Sequence, residues 1–574
     1  MRPTASHWQV RASNGPLVEA LSNELGLPTF VSQVLATRGF SNTEAAGRHL
    51  RADLREMPAP SRLLDCEKAA RRLALAIQRR ERVVVYGDYD VDGVTSTALL
   101  QLFFQNELGY RIGAYIPHRM REGYGLNREA ITRLASEGAE LLLTVDNGSA
   151  ATEEIAHARQ LGLEVIVIDH HQVSEPEPDA CAHLNPHRRA CGFPEKVLAA
   201  VGVAFYLLVE LRRVLREAGY FAGRPEPRPD RYLDLVALGT VADVAPLTGV
   251  NRAFVRQGIE QLRRSPRPGL RALLEAARID PGTVTARDLG FKLGPRINAA
   301  GRMDDATRGL TLLTTEDPTV ATTLAALVEA QNDERRLVEQ GMTQAAIARV
   351  EALGREIPPA LVLWDASWHP GVVGIVAARL VERFQRPAIL LAWDGSHFKG
   401  SARSVRGIHL KEMLDRCGAD LVRWGGHAAA AGVTVTAERV SAFAAAFASV
   451  ILECGTGDES RGPVVDAVAP LGALDSLAVH HLERLGPFGE QNPAPMILVP
   501  SVLGRTRLLS GTHLKLELSP ADVPREALGW GMGDAEVLCR GPVDLLCTPE
   551  VETYRGRRRV VLRLHDLRPS ASPA

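Results

Sequence analysis

A run of four apolar residues that ends in a loop of alternating acids constrains this chain more than any other stretch. Val83–Tyr86 is predicted to be a buried strand, because three successive β-branched residues favour extended backbone. The loop that follows, Gly87-Asp88-Tyr89-Asp90-Val91-Asp92-Gly93, carries a carboxylate at every second position. Ligands gather at the carboxyl ends of strands in open α/β sheets, and clustered carboxylates repel one another unless a cation or base lies between them. The stretch therefore predicts a divalent-cation site, with a solvated acidic turn as the alternative.

Two later strand patterns place similar side chains at their carboxyl ends. Leu141–Val145 is followed by Asp146-Asn147-Gly148, and Val165–Ile168 is followed by Asp169-His170-His171. A carboxylate with two imidazoles is a mixed set of oxygen and nitrogen donors, which suits Mn²⁺ or a similar ion better than oxygen donors alone. A lone histidine is more often structural, but two in succession after an aspartate favour metal binding.

Strand and helix patterns alternate from about residue 82 to 315, which predicts an α/β fold with a mostly parallel sheet covered by helices. An apolar helix is predicted over Tyr232–Asp243, and from its position alone Asp243 is an acid at a helix end. After Pro318, apolar residues recur at helical spacing until Gly354, which predicts a rod of roughly 35 residues and roughly 50 Å.

These motifs, and Gly425-Gly426-His427-Ala428 to Gly432 further on, follow the order found in the DHH phosphoesterase family, which the chain resembles over nearly its whole length. The resemblance implies a site for two Mn²⁺ or Mg²⁺ ions, bridged by Asp146. His171 would contact the scissile phosphate or the leaving group, and His171 and Asp92 are carried over as catalytic residues. The implied metal ligands are Asp90, Asp92, Asp146, His170 and Asp243, with Asp88 as a weaker candidate.

The same resemblance assigns further stretches to the substrate. The loop Pro117–Leu126 combines glycines with arginines, a composition that suits close approach to a phosphate. Lys292–Arg302 and Lys399–Ser404 are the other basic stretches, and small residues surround His427. Surface arginines are the alternative interpretation of the first loop. The implied DNA-binding residues are Arg119, Arg296, Asn298, Arg302, Ser401, Arg403 and His427, with Arg119, Ser401 and Arg403 at the 5′ phosphate.

Five segments are expected along the chain. Residues 1–80 are predicted to form a helical cap on the catalytic domain, 81–315 the parallel-sheet DHH domain, and 316–356 the long connecting helix. Residues 357–460 would form a smaller α/β DHHA1 substrate-binding domain, and 461–574 an OB-type β-barrel that binds single strands, with a basic run at residues 555–559. The strands predicted for the barrel are Val464–Val468, Met496–Leu503, His513–Leu518, Val543–Leu546 and Val560–Leu564.

Composition excludes several classes of protein. The 574 residues include 67 Lys and Arg against 68 Asp and Glu, so any phosphate-binding surface must be local. Seven cysteines without a Cys-x-x-Cys pair indicate neither a zinc site nor a disulfide framework, which favours a reducing cytosol. The amino terminus lacks an apolar signal core, and no apolar run is long enough to span a bilayer. A cytoplasmic protein without a membrane partner is expected.

The residues themselves indicate only metal-assisted phosphoester hydrolysis. The resemblance implies a metal-dependent 5′→3′ exonuclease that hydrolyses single-stranded DNA to mononucleotides in DNA repair and recombination. It would act as a monomer, with single-strand-binding protein and a helicase or recombination mediator as partners. A DHH-family oligoribonuclease or cyclic-dinucleotide phosphodiesterase and a soluble pyrophosphatase are alternatives that would need no barrel. A non-catalytic single-stranded-DNA-binding scaffold is a further alternative, but such proteins lose metal ligands, and every ligand position here keeps its Asp or His.

Overall fold

The computed structural model describes residues 8–119, 121–303, 305–354, 356–455, 462–519, 525–554 and 557–570. Arg555 and Gly556 of the predicted basic run lie outside these ranges. The chain begins with a short strand and four helices, β1 (Gln9–Val10), α1 (Gly15–Leu25), α2 (Thr29–Thr37), α3 (Thr43–Arg51) and α4 (Cys66–Arg79).

The first α/β domain is built on five parallel strands in the order β3-β2-β4-β5-β6. Its elements in chain order are β2 (Val83–Tyr86), α5 (Val91–Leu108), β3 (Gly113–Tyr115), α6 (Arg128–Ser136), β4 (Leu141–Val145), α7 (Thr152–Gln160), β5 (Glu164–Ile168), β6 (Ala182–Leu184), α8 (Ala200–Glu217), α9 (Leu233–Ala242), α10 (Gly249–Arg264), α11 (Pro268–Ala276), α12 (Ala286–Asp288), α13 (Gly294–Met303) and α14 (Thr307–Thr314).

The three central strands are apolar except for Thr144 in β4 and the exposed Glu164 at the start of β5, because helices cover both faces of the sheet. Alternate residues of β2 belong to two different cores, Val83 and Val85 to one and Val84 and Tyr86 to the other. The first core is closed by α4, α5, α8 and α9, and the second by α6 and α7. Since β2, β4 and β5 run parallel, the acids that follow them meet at one edge of the sheet, as predicted.

A long helix, α15 (Pro318–Glu351), follows, and the Asp317 carboxylate caps it by accepting from the Thr319 N–H at 2.8 Å. Beyond it lies a second α/β domain with β7 (Leu361–Asp365), α16 (Val373–Phe384), β8 (Ala388–Trp393), β9 (Phe398–Arg403), α17 (Leu410–Arg416), β10 (Arg423–Gly426), β11 (Ala430–Val435) and α18 (Val440–Cys454). Its sheet has the order β10-β11-β9-β8-β7, in which only β7 and β8 are parallel.

The carboxyl-terminal elements are β12 (Val464–Val465), β13 (Ala467–Val468), α19 (Ser476–Glu483), β14 (Ile497–Leu509), β15 (His513–Ser519), β16 (Arg525–Gly529), β17 (Val543–Tyr554) and β18 (Arg557–Pro569). Pairing of β14 with both β15 and β17 closes a five-stranded barrel. The strand β16 is absent from the predicted set, because its sequence lacks the β-branched residues that mark a strand. The predicted first strand instead divides into β12 and β13, which lie beside the barrel.

The amino-terminal helices do not form the expected single cap on the first domain. Val31 and Val34 of α2 share a core with Val479 and Leu482 of α19 and with the barrel strands. The strand β1 pairs in parallel with β12. Only α4 joins the core of the first domain. In the part of the chain that the structure describes, no helix combines the length and the apolar character needed to cross a membrane.

Candidate active site

The acidic loop is shaped by the start of α5. The Asp90 carboxylate caps this helix, accepting hydrogen bonds from the backbone N–H groups of Asp92 at 3.0 Å and Gly93 at 3.2 Å. Gly93 is required by close packing, because a Cβ atom there would lie 2.5 Å from the backbone nitrogen of Asp88. The loop therefore folds back on the helix and buries Asp88 and Asp92, while Asp90 stays half-buried.

Asp92 is held by a second helix. Its carboxylate oxygens accept from the first N–H groups of α8, Oδ2 from Ala200 at 2.6 Å and Oδ1 from Val201 at 2.9 Å. Burial and the charge of Asp90 raise the pKa of Asp92 to about 7 in spite of these bonds. Each oxygen keeps a further lone pair, so Asp92 can bind a cation while α8 fixes its position.

Asp146 and Asp243 reach the same point from two other elements. Asp146 follows β4 in a left-handed backbone conformation, with a φ of 63°. Asp243 is the C-cap residue of α9. The His170 Nε2 atom lies 3.2 Å from Asp146 Oδ1 and 3.7 Å from Asp243 Oδ2. Asp92 Oδ2 lies 3.8 Å from the same nitrogen, so three carboxylates surround one imidazole.

Among the described residues, three groups of side chains bring their donor atoms within 4.8 Å of one another, and Asp146 belongs to two of them. Burial and the repulsion of neighbouring acids raise the pKa of Asp88, Asp146 and Asp243 well above the ordinary value. The Asp88 Oδ1 atom is buried, and no donor among the described residues meets it. These carboxylate and imidazole donors fit Mn²⁺ or Mg²⁺. The groups are Asp88, Asp90 and Asp146; Asp92, His170 and Asp243; and Asp146, His170 and His171.

The two adjacent histidines differ because of Asp169. His171 Nδ1 lies 2.8 Å from Asp169 Oδ1. Burial opposes protonation of His171, but the hydrogen bond to Asp169 and the charges of the surrounding acids outweigh it and raise the pKa of His171 to about 9. Burial and the charge of His171 lower the pKa of His170 to about 4. The neutral form that a metal ligand needs is thus favoured for His170, and the protonated form for His171.

Three further side chains shape the site. The sequence predicts Asp169 as a metal donor beside the two histidines, but Asp169 belongs to none of the ligand groups found among the described residues and orients His171 instead. The Tyr124 hydroxyl donates to the Asp146 carbonyl oxygen at 3.2 Å and lies 3.3 Å from His171 Nδ1. The Asn185 amide donates to the His171 carbonyl oxygen at 2.8 Å. Local pattern could not identify Tyr124 or Asn185, because both act across loops that are distant in sequence.

Arginines gather on the side of the site formed by the acidic loop. The Arg119 guanidinium lies over the Tyr89 ring, 4.7 Å from its centre. Arg302 donates to a backbone carbonyl of the second α/β domain at 2.9 Å, and Arg403 donates to the Ser401 hydroxyl at 2.7 Å. Burial and the charge of Arg119 lower the pKa of Arg302 to about 9 and also lower the pKa of Arg403. Three guanidinium groups that repel one another in this way are best neutralised by an anion such as phosphate.

Two predicted DNA contacts have other partners. Arg296 is 5% exposed, and its Nη2 atom donates to Glu329 of α15 at 2.9 Å. Its Nε atom also meets Glu329, and Nη1 donates to the Lys292 carbonyl oxygen at 2.8 Å. Arg296 thus joins α13 to α15, and its contact with DNA stays a prediction. The Asn298 side-chain oxygen accepts from the Val91 N–H at 3.2 Å and so braces the acidic loop.

A cavity of about 770 Å³ adjoins the ligand groups. His170, His171 and Asp243 are among the residues that line it. His427, from the second α/β domain, also lines this space. The cavity and the three ligand groups thus lie between the two α/β domains, where a linear polymer can pass.

Three family models match the chain. Residues 82–240 match the DHH family, N-terminal domain, residues 357–453 match the DHHA1 domain, and residues 465–566 match the RecJ OB domain. The single-stranded-DNA-specific exonuclease RecJ of Dickeya dadantii is 39% identical over 560 residues, which cover 95% of this chain and 96% of the relative. The chain belongs to the RecJ family.

Other members of the RecJ family match most of the chain. The RecJ exonuclease of Escherichia coli is 39% identical over 508 residues, which cover 86% of this chain and 87% of the relative. The crystal structure of RecJ from Thermus thermophilus in complex with Mn²⁺ matches with a TM-score of 0.84 and 30% identity, covering 100% of this chain and 81% of that one. The predicted fold class is confirmed: a parallel-sheet DHH domain, a long helix, a smaller α/β DHHA1 domain and an OB-type barrel.

Proposed function

We propose that this member of the RecJ family is a divalent-metal-dependent exonuclease that degrades single-stranded DNA from its 5′ end and releases mononucleotides. The observation that carries the proposal is the buried Asp88 Oδ1 atom, which no donor among the described residues meets, in a ligand group with Asp90 and Asp146. Such a cluster costs folding stability through mutual repulsion unless cations bind to it. The relatives named above are single-stranded-DNA-specific exonucleases, and one RecJ forms a complex with Mn²⁺.

The side chains of the site divide the work of hydrolysis. His171 contacts the scissile phosphate or the leaving oxygen, to which a protonated imidazole can donate. Asp169 binds its Nδ1 atom and leaves Nε2 for the substrate. Bound ions supply a water that is nucleophilic near neutral pH and neutralise charge at phosphorus. The residues that would hold two Mn²⁺ or Mg²⁺ ions, with Asp146 shared and Asp92 also counted as catalytic, are Asp88, Asp90, Asp92, Asp146, His170 and Asp243.

The arginine cluster gives the strand its direction. Arg119, Arg302 and Arg403 adjoin the ligand group of Asp88 and Asp90, since Arg119 lies over Tyr89 between those two acids. A 5′-terminal phosphate bound by these arginines would place the next phosphate of the strand at the ligand groups. Hydrolysis there releases one mononucleotide and leaves a new 5′ phosphate on the shortened strand. Ser401, Asn298 and His427 complete the proposed contacts.

The proposal extends to the cellular role, the compartment, the oligomeric state and the partners of the enzyme. We place it in DNA repair and recombination in the cytoplasm, as a monomer. An exonuclease that acts on single strands needs other proteins to provide them, which supports single-strand-binding protein and a helicase or recombination mediator as partners. We keep the predicted boundaries at residues 80, 315, 356 and 460, with α1 to α3 assigned to the barrel because they share its core.

An end-labelled DNA oligonucleotide tests the proposal. With Mn²⁺, the full-length protein should release a 5′ label at once as a mononucleotide, while a 3′-labelled strand shortens gradually. Asp243→Asn is the matched control, because Asp243 lies at a helix end in the ligand cluster, whereas Asp92 also holds α8 in place. We expect this variant to bind the strand without cutting it.

Other outcomes identify the alternatives. Immediate release of a 3′ label would reverse the proposed polarity. Binding without cleavage by the unmodified protein would favour the non-catalytic scaffold. Cleavage confined to short oligoribonucleotides or cyclic dinucleotides would favour the other phosphodiesterases of the DHH family.

A further inference from the structure

Val244 has a strained conformation at the wall of the cavity. It follows Asp243 with a φ of 59°, which is costly for a β-branched residue. The backbone N–H groups of Val244 and Ala245 bond back to carbonyl oxygens of α9 at 3.2 and 3.1 Å, an ending at which glycine is the usual residue. Packing does not explain valine here, because its side chain is 63% exposed. A strained, exposed apolar residue beside a predicted metal ligand indicates contact with a bound molecule.

The cavity has two kinds of wall. Its polar part includes Arg189, which is exposed, and Lys196, which donates to two backbone carbonyl oxygens at 2.7 Å and keeps a third N–H. The acids there are Glu177, which is paired with Arg188 at 2.8 Å, and the exposed Glu175. The apolar part consists of Val173, Val197, Leu198, Val244, Ala245 and Pro246. Apolar surface and cationic groups in one cavity are what a nucleoside and its phosphate require.

The position of the cavity relative to the arginine cluster indicates which part of the DNA strand the cavity would bind. The cluster of Arg119, Arg302 and Arg403 adjoins the ligand group that contains Asp88. The cavity adjoins the ligand group that contains Asp243. A strand whose 5′ phosphate lies in the arginine cluster and whose next phosphate lies at the ligand groups can therefore continue into the cavity.

We propose that this cavity is a downstream subsite, which binds the nucleotide on the 3′ side of the scissile phosphate. Its sugar and base pack on Val244, and its next phosphate lies at Arg189 and Lys196. The inference rests on the proposed 5′→3′ exonuclease. A fixed wall for the retained part of the strand holds the scissile phosphate at the ligand groups during hydrolysis.

Removal of single bases tests the apolar contact. Three 5′-phosphorylated oligonucleotides are compared: one intact, one abasic at the second nucleotide and one abasic at the tenth. Release of the first nucleotide is measured with Mn²⁺ in single turnover. The full-length protein should act about fivefold more slowly on the strand that is abasic at the second nucleotide, and at the normal rate on the third strand.

Two variants connect this effect with Val244. Asn tolerates the left-handed backbone but removes the apolar surface. Val244→Asn should therefore act about fivefold more slowly on the intact strand and no longer distinguish it from the strand abasic at the second nucleotide. Val244→Ile keeps the apolar surface and should retain the discrimination.

The outcomes separate the subsite from the exonuclease itself. Equal slowing of all three strands by Val244→Asn would mean that Val244 only positions Asp243, which overturns the subsite. Equal rates of the unmodified protein on all three strands would overturn it as well. If the unmodified protein releases no nucleotide from any strand, the proposed exonuclease fails and the subsite fails with it.

A separate experiment tests the proposed contact between Arg189 and the next phosphate. A neutral methylphosphonate between the second and third nucleotides should slow the unmodified protein several-fold. Arg189→Gln should be equally slow on the phosphate and the methylphosphonate strands. An undiminished preference of Arg189→Gln for the charged strand would overturn the assignment of Arg189.

Discussion

Asp169 Oδ1 lies 2.8 Å from His171 Nδ1 and thereby decides which nitrogen of His171 is left for the substrate. The same carboxylate accepts backbone N–H groups of Ser149 at 2.9 Å and His170 at 2.7 Å. Burial favours the neutral acid, but the hydrogen bond and charge of His171 lower the pKa of Asp169 below its ordinary value. Asp169 is thus a fixed anion that orients a catalytic group.

Asp169→Asn should lower the single-turnover rate of DNA cleavage by about 100-fold. Asparagine keeps the volume but not the charge, so His171 loses both its orientation and the anion that favours its protonated form. Strand affinity should change little, because Asp169 is buried. Affinity for Mn²⁺, measured by calorimetry in parallel, should remain within a few-fold, since Asp169 belongs to none of the three ligand groups. Loss of Mn²⁺ binding together with activity would contradict the orienting role.

Asp88→Asn should stabilise the protein when no metal is bound. The variant removes a carboxyl group whose ionised form is opposed by burial and by the charge of Asp90, and asparagine has nearly the same shape. In EDTA we expect a melting temperature about 2–4 °C above that of the unmodified protein, measured by scanning calorimetry. Added Mn²⁺ should raise the melting temperature of the unmodified protein more than that of the variant. A lower melting temperature of Asp88→Asn in EDTA would contradict the repulsion.

The parallel sheet and most of its acids could be predicted because each strand is encoded locally. The residues of β2, β4 and β5 are apolar runs, and the acids follow each run directly. The six predicted ligands do come together in the structure. Asp243 is the one ligand that the local sequence does not indicate, because it lies at a helix end followed by Val-Ala-Pro. Only the family resemblance identified it.

Features that depend on contacts between distant segments could not be predicted. Arg296 lies among small and basic residues that suit a phosphate site, but its partner Glu329 is 33 residues further on and becomes visible only in the fold. The core shared by Val31 and Val479 likewise joins opposite ends of the chain. The left-handed conformation of Val244 contradicts the preference of valine, so local sequence predicts against it.

Arg119 and Arg296 form a matched pair of substitutions. Arg119→Gln should weaken binding of 5′-phosphorylated single-stranded DNA about tenfold and reduce the dependence of log affinity on log salt by about one. Arg296→Gln should leave both quantities unchanged and instead lower the urea midpoint, because Glu329 loses its partner. Fluorescence anisotropy at several salt concentrations measures the first effect. A salt dependence reduced by Arg296→Gln would restore the role predicted from sequence.

Arg252→Met should destabilise the junction of three parts of the molecule. Arg252 is 1% exposed and donates to the backbone carbonyl of His49 in α3 and to those of residues 484–486 after α19. Methionine fills similar space but removes the Arg252 donor from all of these carbonyl oxygens, of which only that of Leu485 keeps another donor among those described here, Asn492 Nδ2 at 3.1 Å. The loss should cost about 3 kcal/mol in free energy of unfolding. Urea unfolding measures the loss, and amide hydrogen exchange at residues 484–486 should become faster. Arg264→Gln, at an exposed arginine, is the control. An unchanged urea midpoint for Arg252→Met would contradict the role of Arg252 in holding this junction together.

His49 should make the protein less stable in weak acid. Burial, followed by the charges of Arg252, Arg38 and Arg256, lowers the pKa of His49 from 6.5 to about 3, against the hydrogen bond to the Leu485 carbonyl. Between these two pH values the unfolded chain binds a proton that the folded protein does not. The free energy of unfolding therefore falls as the pH falls from 6.5 towards 3, and the contribution of neutral His49 is fully present above about pH 6.5.

His49→Gln should remove this dependence, because glutamine keeps an N–H for the Leu485 carbonyl and does not titrate. From about pH 7 to about pH 5 the unmodified protein should lose about 2 kcal/mol more of its free energy of unfolding than the variant. Urea unfolding of both proteins at the two pH values measures the difference, and the neutral pH is the internal control because His49 is uncharged there in both states. An equal loss in the two proteins would mean that folded His49 takes up its proton at the ordinary pH, which the buried position beside Arg252 opposes.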